Sequence, residues 1–412
     1  MIWTAFFINP FFTFLYALYN YNQVYVKNIL WAFTVFFSMT FSVGLETQGA
    51  DINRYMLWVE QLYGQSMGGW DAIEYFKNSR EVDVARTFLT IFVSRFTPNG
   101  YYLVIIFGVI YGYFFSRNIW FVYERLRGSR LRGIVVLLIT CLFLILPIWN
   151  INGFRFYTAS HAFLYGLLPY LYDGKKRKLF WCFISPWLFH FAFLVPVLIL
   201  LGYMVLGNRY NLYFVAFLGS FFIKELDINQ FNQLADNYLP ESFVERSEGY
   251  RDQEAISAFQ DRELLSADKR WYAVLYNPVL HWSLAVFLTV LYFRLRRVLV
   301  ANRKLLGVLS FTYLFFAVSN ILSTLPSGGR FLSLASLLSL VILSIYLQNS
   351  VKDRLMERVI KISYPALLLF IIVSIRVGFY AFSVTTVLGN PLFAIFTIGE
   401  NLSLNDVLKA IF

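Results

Sequence analysis

The sequence predicts an all-α, polytopic integral membrane protein with about 10–12 membrane helices. Three observations carry that expectation. Hydrophobic residues make up 58% of the chain and charged residues 14%, apolar runs of bilayer length recur from Ile2 to Phe382, and Lys and Arg gather between those runs. A bilayer core has no water to satisfy backbone N–H and C=O groups, so only helices and closed barrels span it. These runs do not alternate apolar and polar residues as barrel strands do, which leaves helices.

In chain order, spans are expected near 3–19, 27–45, 100–121, 131–149, 155–172, 209–225, 273–293, 305–325, 331–348 and 361–382. Each is an apolar run close to the ~20 residues that cross a hydrocarbon core. Residues 179–206 do not fit as one pass, because they are too long and carry Pro186, Pro196 and, in the middle, Phe189-His190. They read as a helical hairpin, either re-entrant or two short spans. The chain 1–412 then forms a single polytopic transmembrane domain with two extracytoplasmic loop regions, 46–99 and 226–272. The first is polar and ends in an amphipathic stretch, 84–97, that carries Arg86 and Arg95 and suits a helix at the membrane surface. The second is rich in Asp, Glu, Arg and Gln and reads as surface helices. No cleavable signal is expected, since the first run lacks a basic leader and a small-residue cleavage site. Cys141 and Cys182 fall inside apolar runs and read as core residues.

The net charge of +11 is concentrated beside helices: Arg125 to Arg132, Lys175 to Lys178, Arg294 to Lys304, and Lys352 to Lys361. These are cytoplasmic anchors under the positive-inside rule, and they leave 46–99, 226–272 and the tail 383–412 outside. Nucleic acid is excluded as a partner, because no folded soluble face gathers these charges.

Against this background a few polar residues stand out. A guanidinium at a membrane helix centre costs about 2.5–3.5 kcal/mol on insertion scales, so it persists where it meets a watery cavity or an anion. Arg155 sits in Asn150-Ile-Asn-Gly-Phe-Arg-Phe-Tyr157, between two apolar runs, and the pattern recurs at Arg54, Arg330 and Arg376. The topology turns Gly49-Ala-Asp51-Ile-Asn-Arg54-Tyr55, Arg155, His190 at the hairpin turn and Ser327-Gly-Gly-Arg330 toward the outer face. Arg376 joins them, about 22 Å up its helix from Lys361 at ~1.5 Å per residue. Guanidinium forks bind phosphate at two points, so an outer pocket lined by them, with Arg155 and Arg330 sharing it, suits a lipid-linked pyrophosphate. Plainer roles stand beside these. Arg54 fits a surface charge, Arg376 a snorkelling anchor and Asp51 a helix cap, while His161 and His281 read as structural. Glu81-Val-Asp83 has the form of a carboxylate pair but sits in a polar loop.

The order of these pieces resembles the EpsG-type polysaccharide polymerases, a branch of the Wzy oligosaccharide repeat-unit polymerases. Gly49, Asp51 and Tyr55 match the run after the second span, with Ile52 at a position usually aromatic. Asn152, Gly153 and Arg155 match the run at the fifth span, with Phe156 where Gln is usual. Leu188, Phe189 and His190 match a later run, with Ala192 in place of Ser, and Arg330 matches an Arg opening a late span. The resemblance implies that a glycan on undecaprenyl pyrophosphate is transferred to the free-end hydroxyl of a new lipid-linked repeat unit. This would occur at the periplasmic face of the bacterial inner membrane and make O-antigen, capsule or exopolysaccharide. It implies inverting displacement without metal or cofactor. Arg54, Tyr55, Asn152, Arg155, Arg330 and Arg376 would bind substrate pyrophosphate, His190 would be the base and Asp51 a positioner. A chain-length regulator and a flippase would be partners. Rival readings are a lipid-linked oligosaccharide flippase or transporter, an O-antigen ligase-like enzyme, and a metal-dependent glycosyltransferase using Glu81, Asp83 or Asp51.

Overall fold

A computed structural model describes residues 1–42, 51–65, 74, 84–126, 128, 130–223, 270–325, 327–350, 352–399 and 401–411. In chain order the helices are α1 (Ile2–Ile8), α2 (Pro10–Tyr19), α3 (Val26–Met39), α4 (Asp51–Gly64), α5 (Val84–Ser94), α6 (Tyr101–Tyr123) and α7 (Gly133–Ile145). They continue as α8 (Phe154–Asp173), α9 (Phe180–Leu188), α10 (Leu194–Leu206), α11 (Tyr210–Ser220), α12 (Trp271–Phe293), α13 (Leu295–Asn302) and α14 (Leu305–Leu322). The last are α15 (Arg330–Asn349), α16 (Arg354–Ile362), α17 (Tyr364–Gly378), α18 (Val384–Leu388), α19 (Pro391–Phe396) and α20 (Leu404–Ile411). Among the described residues the β-structure is one isolated bridge, Ser383–Ser403.

The chain is thus an all-α, multi-pass membrane protein. Among the described residues, five helical stretches are long and apolar enough to cross a bilayer: Tyr101–Tyr123, Gly133–Asp173, Trp271–Phe293, Leu305–Leu322 and Arg330–Asn349. A sixth is added if α16 and α17, bent by 54° at their junction, count as one span. Gly133–Asp173 has 41 residues, about 60 Å as a straight helix and twice a hydrocarbon core. It is interrupted at Pro147 and by a 3₁₀ turn, Ile148–Gly153, where the sequence places a boundary between two spans.

Two compact units divide the chain. The first contains Met1–Ser129, Leu146–Leu198 and Ser374–Phe412. Its centre is the crossing of α3 and α6. A Cβ on Gly108 would fall 2.1 Å from Ser38 Oγ, and one on Gly112 would fall 2.8 Å from Thr34 Cβ. Lipid tails are as apolar as leucine, so helices in a bilayer associate by close packing and hydrogen bonds, and small residues four apart allow the backbones to approach. Trp31 Nε1–H donates to the Val109 carbonyl at 2.9 Å, and Arg117 donates to the Lys27 carbonyl at 2.9 Å. The pairing of Ser38 with Gly108 and of Lys27 with Arg117 makes the two helices antiparallel. By contrast α6 and α8 run parallel, since Phe107 stacks on Phe154, Tyr113 meets Tyr165 and Phe121 meets Tyr172. These relative directions are the ones the charge pattern calls for.

His161 is buried in α8, as expected of a structural residue. It lies 3.2 Å from Tyr111 Oη, and its carbonyl accepts from Asn118 Nδ2 at 2.8 Å. Cys141 and Cys182 are buried free thiols. The stretch expected to form a hairpin is broken near its middle. Helix α9 ends at Leu188, Phe189 and His190 leave it, and α10 begins after a 3₁₀ turn at Phe191–Phe193. Helix α9 returns along α8, with Trp181 near Tyr165 and Phe189 against Phe154.

Helix α5 inverts the pattern of a soluble surface helix. Its polar residues Arg86, Thr87 and Thr90 are buried, while Phe88 and Phe92 on it, and Phe96 just beyond, are exposed. That apolar stripe suits lipid contact. The C-terminal segment packs on the end of α3. Thr40 and Thr386 hydroxyls pair at 2.8 Å, and Ser42 Oγ donates to the Asn401 carbonyl at 3.0 Å.

The second unit contains Arg130–Ile145 and Ile199–Val373. Helix α15 is enclosed there from Leu334 through Gln348. The open carbonyls at its C-terminal end are satisfied by Arg132, which donates to Leu347 O at 2.7 Å and Ser350 O at 2.9 Å. Just beyond, the buried Asp353 caps α16 through the Met356 N–H and accepts from Tyr346 Oη at 2.8 Å.

Candidate functional site

Helix α4 begins at Asp51, an acidic residue in a first turn, where the helix dipole favours negative charge. Asp51 pairs with Arg54 one turn on, and the Arg54 side chain is 68% exposed. The opposite face, Ile52, Tyr55, Val59 and Leu62, is buried. The first N–H groups of a helix lack internal partners. Asn152, from the 3₁₀ turn a hundred residues away, supplies one for α4, its Oδ1 accepting from the Ile52 N–H at 3.2 Å. Gly153 follows because a Cβ there would sit 2.8 Å from the Tyr157 ring. Arg155, in the first turn of α8, donates from Nε to Tyr55 Oη at 3.2 Å.

Tyr55 is the hub of this arrangement. Its ring meets Phe107 edge-on at 6.0 Å, and the Arg86 guanidinium lies 5.3 Å from its centroid. Arg86, buried itself, also covers the Trp58 ring at 4.4 Å. Burial pushes the Tyr55 phenol above its ordinary pKa, outweighing the pull of Arg155 and Arg86 toward ionisation. The phenol therefore keeps its proton, accepts from Arg155 and has a hydrogen to donate.

The segment carrying His190 packs on the first turn of α8. Phe189 lies edge-on to Phe154 at 6.1 Å, and the His190 ring lies edge-on to Phe156 at 5.6 Å. His190 is buried and caps the 3₁₀ turn, its Nδ1 accepting from the Ala192 N–H at 3.2 Å. With Nδ1 so engaged, the neutral ring carries its proton on Nε2, an assignment that follows from the hydrogen bond.

The first unit therefore gathers Asp51, Arg54, Tyr55, Asn152, Arg155 and His190 around the start of α8 through a short chain of contacts. Arg376 is exposed in the last turn of α17. Two residues on, a Cβ at Gly378 would lie 3.1 Å from the Trp149 ring of the same 3₁₀ turn, so this helix end abuts the turn that bears Asn152. Arg330 opens α15 in the second unit and is exposed, after a tight turn in which Ser327 adopts φ 62°. Gly49, Glu81 and Asp83 lie outside the described residues. Among the described residues no three His, Cys, Asp or Glu side chains gather as a cation site.

Sequence reasoning missed Arg86 and Trp58. The signal for Arg86 was available, since it is an arginine in an apolar helical stretch, the same feature that singled out Arg155. Trp58 gave less sign of itself, being one turn beyond Arg54 and Tyr55 in a chain with ten tryptophans.

No family model, curated protein or solved structure matches this chain.

Proposed function

We propose that the protein is a membrane glycosyltransferase that polymerises undecaprenyl-pyrophosphate-linked oligosaccharide repeat units at the outer face of the bacterial inner membrane. The observation that carries this reading is the meeting of three sequence-distant stretches, joined by Asn152 to Ile52, Arg155 to Tyr55 and His190 to Phe156. In this reading the shorter apolar helices complete ten to twelve passes, and the Arg155 end of the first unit faces outward.

As the anomeric carbon–oxygen bond breaks, negative charge builds on the departing pyrophosphate. Arg155, with the phenol hydrogen of Tyr55, would stabilise that charge where it develops. Arg376 is a further cation for the same ligand, while Arg330 is carried as a binding residue on the sequence reading and the resemblance. The acceptor hydroxyl attacks from the opposite side, inverts the centre and gives up its proton. The sequence favours His190 as base, but its capped Nδ1 leaves Nε2 bearing hydrogen, which suits donation to a sugar or phosphate oxygen. Asp51, its carboxylate held by Arg54, is the second candidate for that proton.

The test is purified protein incubated with lipid-linked repeat units and read as a ladder on a gel. A ladder that disappears in Arg155→Lys supports the reading. Unchanged repeat units moved across the bilayer would make the protein a transporter, and transfer to lipid A a ligase. Loss of the ladder in EDTA with rescue by Mn²⁺ would shift the chemistry to a metal.

A further inference from the structure

The parallel helices α6 and α8 have a second polar end. Asp173 lies about 27 Å along α8 from Arg155 at ~1.5 Å per residue, close to the thickness of a hydrocarbon core. There α3, α6, α8 and the following turn enclose a cavity of about 340 Å³. Five cations line it, Lys27, Arg117, Arg125, Lys175 and Lys178, against two carboxylates, Glu124 and Asp173.

The carboxylates are already committed. Asp173 pairs with Arg125 at 2.7 Å and with Lys175 at 3.8 Å, and Glu124 pairs with Arg125 at 3.2 Å. Lys27, Arg117 and Lys178 form no ion pair among the described residues. They rest on aromatic faces instead, at 5.8 Å from Trp120, 4.8 Å from Tyr113 and 3.9 Å from Tyr165 respectively. Arg117 is fixed by neutral acceptors, the Lys27 carbonyl at 2.9 Å and Asn28 Oδ1 at 3.0 Å. Burial also pulls the Lys178 pKa down, which marks its ammonium as partly stripped of water. A partly enclosed set of cations in excess of its carboxylates, oriented by rings and carbonyls, is a site for an anion with several oxygens.

We propose that this cavity binds a phosphate oxyanion, supplied either by the headgroup of an anionic phospholipid or by a free phosphate compound. The charge pattern of the sequence places this end at the cytoplasmic face, where anionic headgroups and soluble phosphates both occur. The site is independent of the proposed transferase centre.

The experiment uses the full chain in phosphatidylcholine nanodiscs, with or without phosphatidylglycerol. Retained lipid is counted by native mass spectrometry, and inorganic pyrophosphate is titrated calorimetrically in the phosphatidylcholine discs. Wild type is compared with Lys27→Gln/Lys178→Gln and with Lys178→Arg. Wild type is expected to retain phosphatidylglycerol over phosphatidylcholine or to bind pyrophosphate. The double variant should lose at least tenfold in that arm, while Lys178→Arg stays near wild type. A loss confined to the lipid arm identifies a headgroup, and a loss confined to the titration identifies a soluble phosphate. Wild type that shows neither, or a double variant equal to it in both arms, overturns the proposal. Lys178→Gln alone, at a half-buried side chain, takes the place of the double variant should that fail to fold.

Discussion

Tyr55→Phe isolates a single oxygen. The substituted ring keeps its edge contact with Phe107 and stays beneath the Arg86 guanidinium, so packing is preserved. What goes is the acceptor for Arg155 Nε, at 3.2 Å, and the donor hydrogen of the phenol. A hydrogen bond to a charged group contributes about 1.5–3 kcal/mol, and this one is longer than the ~2.9 Å optimum, which points to the low end. About 1.5 kcal/mol corresponds to a rate loss of roughly tenfold. Arg155→Lys removes the same bond together with the guanidinium fork, so it should cost more, roughly a hundredfold. The double variant should be no worse than Arg155→Lys alone, because the shared bond can be lost only once. The assay is the initial rate of ladder formation by the four proteins, with thermal unfolding measured alongside. A coupling of about 1.5 kcal/mol is expected from the cycle; additivity to within ~0.3 kcal/mol would refute the idea that these side chains act as a unit.

Three further outcomes are expected. His190→Asn preserves a side-chain cap for the 3₁₀ turn but removes the imidazole, whereas His190→Ala removes both; Asn should restore stability by about 1 kcal/mol over Ala, and equal ladder rates in Asn and wild type would leave the ring with a structural role only. Gly112→Leu drives a side chain into Thr34, where even a Cβ falls within 2.8 Å, so it should separate α3 from α6 and abolish recovery of folded protein in size-exclusion chromatography. The raised Tyr55 pKa means the folded protein holds this proton more tightly than the unfolded chain, so the stability it contributes is complete below pH 10.0 and falls as pH rises above it; the alkaline loss in chemical unfolding should be shallower in Tyr55→Phe, and identical curves would contradict the shift.

Much of this was legible in the sequence, because a bilayer leaves the backbone few options. Apolar run length located α6, α8, α12, α14 and α15 to within a few residues, and Pro186 with Phe189-His190 marked the break between α9 and α10. Charge asymmetry anticipated the parallel course of α6 and α8, which is a matter of counting crossings. What escaped was side-chain direction on short helices. The amphipathic stretch holding α5 suggested a polar face toward water, yet Arg86 points inward, because the rings of Tyr55 and Trp58 offer it a cation–π seat. A period of 3.6 tells that two faces differ, not which neighbour each will meet. The same limit applied to Asn152. Its motif suggested substrate binding, while its oxygen caps α4, a contact that depends on two elements a hundred residues apart.

Arg155 stands in the first turn of α8 and Arg330 in the first turn of α15, the helix ends at which aligned peptide dipoles leave a partial positive charge. A cation there is repelled by its own helix, by about 0.3–1 kcal/mol at an exposed site. An anion held by either guanidinium, as the proposed function requires, would reverse the sign, because the side chain and the helix dipole would attract it together. In the proposed reading, ligand capture would also steady the first turn of the helix that carries the guanidinium. Slower amide exchange at Phe156 or Leu332 on adding pyrophosphate would then gauge occupancy without following any reaction.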